Sequence, residues 1–100
     1  MINVEKAIAA IKAVDQLGYE LLFRTDGTYC AIGALLKAIG YSDDRLREGL
    51  YGDCYIRLEC EYGLFESHWK KIIAVNDTTN PEYRKQRVIE TIKELANGQR

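Results

Sequence analysis

Between Ala31 and Ile39, in the stretch "AIGALLKAI", a single side chain, Lys37, prefers water. A segment of that length, apolar on most sides and without the alternation of a strand, has to be surrounded by other elements, so it is expected to be the central helix of the fold. Gly40 follows it as a closing residue that adopts the left-handed conformation without steric penalty. Gly33 costs a helix interior about 1 kcal/mol relative to alanine, which calls for close approach of another helix or an aromatic ring. Upstream, Asp26-Gly27 is a strong turn dipeptide, and Thr28 is the natural cap. That boundary places Cys30 in the first turn of the helix.

The rest of the chain reads as further short helices packed around this one. Val4, Ala7, Ile8, Ile11 and Val14 recur at spacings of three and four, predicting an amphipathic helix that closes at Gly18. Ser42 caps a short helix with Asp43 and Asp44 in its first turn. Residues 54–62 are ambiguous. Cys54, Ile56, Leu58, Cys60 and Tyr62 alternate as in a strand, whereas Tyr51, Tyr55, Leu58 and Tyr62 fall at helical spacing. Helix is favoured because no second run offers a strand to pair with. Trp69, Ile72 and Ile73 mark a helix capped by Ser67 and stopped at Asn76-Asp77. Asn80 and Pro81 open a last one, with Val88, Ile89, Ile92, Leu95 and Ala96 as its buried stripe. The expected fold is all-α, a compact bundle of five or six short helices.

One hundred residues, 47% of them apolar, suit one domain spanning 1–100 with one core. Fourteen lysines and arginines against fifteen acids argue against recruitment to nucleic acid or an anionic membrane by net charge. No apolar run is long enough to span a bilayer, no signal peptide is visible, and three cysteines are an odd number. These features predict a reduced, cytoplasmic protein. The spacing of Cys30, Cys54 and Cys60 lacks a Cys-x-x-Cys pair, so neither a metal site nor a cofactor is expected.

Two motifs carry a resemblance. Cys30-Ala31-Ile32-Gly33-Ala34-Leu35 and the later Asn76-Asp77 resemble a small uncharacterised family of bacterial and phage proteins. Its members share a Cys-Ala-(Ile/Val/Leu)-Gly-Ala-Leu helix and an apolar helix ending in Asn-Asp. The resemblance implies a small helical fold in a bacterial host and transfers no activity. The tyrosine-rich stretch from Tyr51 to Tyr62 departs from the family pattern.

Charge is unevenly distributed. Residues 41–67 hold seven acids against three arginines, a net of minus four, and residues 68–100 carry a net of plus three. Tyrosines among acids make a common protein-binding surface, because the ring supplies area while the hydroxyl stays hydrated. The leading expectation is therefore a non-enzymatic protein that binds a protein partner. Its surface would comprise Asp43, Asp44, Tyr51, Tyr55, Glu59, Glu61 and Tyr62, and the phage-type resemblance suggests an inhibitor of a host defence protein. The alternative is a small cysteine-dependent hydrolase or transferase using Cys30, His68 and Asn76. A thiol in a first helical turn is activated by the helix dipole, but cysteine is also among the most often buried residues. A third reading is a homodimer joining acidic to basic regions. The basic run Arg84, Lys85 and Arg87 could contact phosphate, although Glu82 and Glu90 lie close by.

Overall fold

A computed structural model of the chain describes residues 1–19 and 22–98. Among these residues six helices follow one another: α1 (Val4–Lys12), α2 (Ala31–Ala38), α3 (Asp43–Arg47), α4 (Gly52–Tyr62), α5 (Glu66–Thr78) and α6 (Pro81–Gly98). Among the described residues there is no named strand, only an isolated parallel bridge between Leu17 and Tyr29. No helix among the described residues is long and apolar enough to cross a membrane. The fold is an all-α single domain.

As its composition requires, α2 is the hub. Ala31 to Leu36 are all buried, and α1, α3, α4 and α5 pack around it. The connection between α5 and α6 is so short that the two helices form an antiparallel hairpin, whose α6 also packs on α1. Gly33 answers to backbone rather than to a helix or a ring: a Cβ there would lie 1.9 Å from the Leu22 carbonyl oxygen. Leu22, in the connection between α1 and α2, thus lies directly over the central helix.

Residues 54–62 are helical. The buried face of α4 is Cys54, Leu58 and Tyr62, four residues apart, so Tyr51 and Tyr55 turn outward instead. Three boundaries differ from expectation. α1 ends at Lys12, and Gly18 does not close it. Gly18 is required by crowding instead, since a Cβ would meet the Thr28 hydroxyl at 2.3 Å. Thr28 does not cap α2, because its amide and hydroxyl are both spent on Asp26 Oδ1 within the turn. Cys30 is the cap residue, its Sγ accepting from the Gly33 amide at 3.5 Å. α5 begins at Glu66 rather than after Ser67 and runs through Asn76 to Thr78.

The buried stripe of α6 is Arg84, Val88, Thr91 and Ile92, with Ile89, Leu95 and Ala96 half-buried. It is rotated from the expected stripe because Arg84 is drawn inward by backbone carbonyls.

Gly33→Ala is expected to lower unfolding free energy by at least about 2 kcal/mol, since the added methyl meets backbone that cannot rotate away. Gly52→Ala, in the first turn of α4 with nothing within 4 Å of the new Cβ, is expected to raise it by about 0.5–1 kcal/mol. Urea denaturation of both variants checks the opposite signs.

Candidate functional site

Cys30, His68 and Asn76 do not converge. Cys30 is 4% exposed, and burial pushes its thiol up to about 11, opposite to the activation that a helix start would supply. Desolvation outweighs the dipole here. Asn76 is close to this cap, but its carboxamide is committed to structure. Its Oδ1 accepts from the Ala31 amide at 3.0 Å, and its Nδ2 donates to the Gly18 carbonyl and to Asp77 Oδ1, each at 2.9 Å. His68 lies eight residues earlier on the same helix, about 12 Å along its axis. Its Nδ1 accepts from the Phe65 amide at 3.0 Å, and its ring meets the edge of the Phe65 ring. The histidine caps α5 and orients Phe65.

The basic run is also internal in large part. Arg84 is buried and donates to the carbonyls of Leu17 and Thr79, while Lys85 reaches those of Val14 and Lys12. Arg87 pairs with Glu90 at 2.6 Å. Among the described residues no group of three or more His, Cys, Asp or Glu side chains is placed to hold a metal ion.

The acidic stretch dissolves into local pairs. Asp43 accepts from the Tyr29 hydroxyl and from Lys37, Asp44 pairs with Arg47, and Asp53 is held by Tyr41 and Arg45. Glu61 is gripped by Lys6 and Arg57. The partners leave a mark on acidity: Tyr29 holds the Asp43 carboxyl below its ordinary range, Tyr41 does so for Asp53, and Lys6 for Glu61. Tyr62, expected on the binding surface, is buried instead. It belongs to the inward face of α4, donates its hydroxyl to the Leu35 carbonyl, and is pushed up to about 12 by burial.

What remains exposed is a corner between α4 and α5. Gly63, in the left-handed conformation at φ 70°, ends α4, and Leu64 plugs the core immediately after it. The reversal sets the outward face of α4 beside the start of α5. Tyr55 stacks on Trp69 there, with centroids 5.0 Å apart and ring planes within 12° of parallel. Tyr55, Glu59, Leu64, Phe65, Glu66 and Trp69 line a groove of about 390 Å³. Ile56, 60% exposed, lies on the same helix, and Tyr51, 56% exposed, immediately precedes it. Of the residues expected to bind a partner, Tyr55 and Glu59 line this groove, and Tyr51 and Asp44 are exposed outside it. Phe65, Trp69 and Ile56 were not legible as surface residues, since each fits a helical stripe as well as an exposed one.

A larger cleft of about 570 Å³ lies between the end of α1, residues 26–29 and α2. Alanines 10, 13, 34 and 38 line it, and its Tyr29 and Lys37 are already bound to Asp43. That leaves it less to offer a partner than the aromatic groove. No family model, curated protein or solved structure matches the chain.

Alkylation of the native protein is expected to label Cys60, the exposed thiol, well before Cys30 and Cys54, which are buried. Mass spectrometry of native and unfolded protein checks the order, and early labelling of Cys30 would contradict its burial. Asn76→Ala is expected to cost about 2–4 kcal/mol in urea denaturation, because it strands a buried amide and a buried carbonyl together.

Proposed function

We propose that this chain is a non-enzymatic binding protein that captures a protein partner through the α4–α5 corner. The observation that carries this reading is the concentration of apolar surface there. Tyr55, Ile56 and Phe65, three of the seven large hydrophobic residues that are exposed among the described residues, lie on α4 or just after it. Exposed apolar residues scattered singly are ordinary, whereas a cluster around a groove with a polar rim is the usual form of an interaction site. The half-buried Trp69 supplies the anchor type most enriched at binding hot spots. The resemblance to small bacterial and phage proteins supports a narrower form of the reading, an inhibitor of a host defence protein.

Cys60 provides a native handle for the test, since it is exposed and adjoins Glu59 on α4. A benzophenone attached to Cys60 and irradiated in bacterial lysate is expected to give one discrete adduct. Ile56→Glu and Glu59→Lys should each reduce it about tenfold, while Tyr83→Glu, at an exposed position on α6, leaves it intact. An adduct of twice the chain's own mass would identify a homodimer. Adducts indifferent to both α4 substitutions would place binding elsewhere.

A further inference from the structure

The chain treats its aromatic rings in two ways. Lys6 lies over Tyr62 at 5.5 Å, Arg45 over Tyr41 and Tyr51 at 5.7 and 5.1 Å, Arg57 over Tyr41 at 5.9 Å, and Arg47 over Phe23 at 4.8 Å. Each of those rings holds a cation supplied by the fold itself. Among the described residues, no lysine or arginine lies over the rings of Tyr55, Phe65 or Trp69. The carboxylates follow the same division. Of the six acids between residues 41 and 61, four are paired; Glu48 and Glu59 are exposed without an ion-pair partner among the described residues, and of these two only Glu59 lines the groove. Glu66, on the rim, holds Lys70 at 2.8 Å.

We propose that the groove is the seat of one arginine side chain from the partner, its guanidinium lying against the Tyr55–Trp69 stack and donating to Glu59. The inference rests on the binding reading above and names the chemistry that the surface selects. Three rings and two carboxylates line the groove with Leu64, and no cation does. A planar guanidinium can use both features at once: it stacks on a ring face and presents a fork of N–H donors to a carboxylate. An ammonium lacks the plane and the fork. A neutral apolar side chain would leave Glu59 desolvated without a partner. The volume of about 390 Å³ accommodates one long side chain rather than a folded element.

The chain's one tryptophan is Trp69, so its emission reports on this site alone. The probe is the peptide acetyl-Gly-Gly-Arg-Gly-Gly-amide, titrated into the millimolar range because a single side-chain contact is weak. Counterparts carry lysine, citrulline or norleucine in place of arginine. A saturable change in emission is expected with the arginine peptide, about tenfold weaker with citrulline, which keeps the shape and loses the charge. Glu59→Gln should weaken arginine binding by a similar factor. Glu48→Gln, the same charge change at an exposed residue outside the groove, should leave it unchanged. Equal binding of citrulline, tighter binding of lysine or norleucine, or equal weakening by Glu48→Gln overturns the arginine seat. If that happens while the Cys60 adduct still depends on Ile56, the partner surface stands without this occupant. If the adduct has lost that dependence too, the surface itself is wrong.

Discussion

The carboxamide of Asn76 is the interaction on which the arrangement depends. An α-helix begins with amides that have no partner inside the helix, and α2 begins deep in the protein where water cannot serve them. Asn76 reaches from α5 to take the amide of Ala31, and the same group donates to the carbonyl of Gly18. One side chain thereby joins the hub helix, the hairpin of α5 and α6, and the irregular connection that precedes α2. Replacing both partners with apolar groups is not open to the fold, because each is main chain. Buried, fully occupied and sited at a junction, the residue has a structural task that accounts for its burial without any chemistry.

The same accounting explains the cations of α6. Residues 13–19 and 22–30 contain no helix and only the single bridge from Leu17 to Tyr29, yet they lie against α2 closely enough that Gly33 has no room for a methyl group. Their carbonyls still need donors. Arg84 supplies one to Leu17 and Lys85 one to Val14, Lys85 also reaching the Lys12 carbonyl at the end of α1. A basic run that reads as a phosphate grip is therefore in large part a clamp on the chain's own backbone. Long cationic side chains suit that task because their apolar stems pack while the charged end finds oxygen.

Electrostatics on the other side of the molecule work by local neutralisation. The acids of α3 and α4 are not a field aimed at a distant target, since most sit within hydrogen-bond distance of a base or a tyrosine hydroxyl. Tyr41 lies near both Arg45 and Arg57, and Asp53 accepts from its hydroxyl. The α4–α5 groove stands out against this background because it brings together three rings with no cation over them and, in Glu59, a carboxylate without an ion-pair partner among the described residues. Its shape comes from Gly63, whose left-handed turn brings Trp69 under Tyr55, and from His68, which fixes Phe65 through the cap of α5.

By itself the sequence determined the helical class, the central position of residues 31–38, the turn at Asp26-Gly27, the Ser42 cap and the proline start of α6. All of these follow from periodicity and from local backbone preferences, which act within a few residues. The helical spacing of Tyr51, Tyr55, Leu58 and Tyr62 was visible, but their division between surface and core was not. Burial of Tyr62 depends on the Leu35 carbonyl, 27 residues away, and the placement of Tyr55 on the ring of Trp69 that stacks against it. The early end of α1, the cap at Cys30 and the inward turn of Arg84 were hidden for the same reason. Each depends on partners that only folding brings near: Lys85 for the carbonyls beyond α1, Asn76 for the amide after Cys30, and Leu17 for Arg84. Tertiary structure alone decided which charges were spent internally and which remained for a partner, because an ion pair is set by distance in space and the sequence records only distance along the chain.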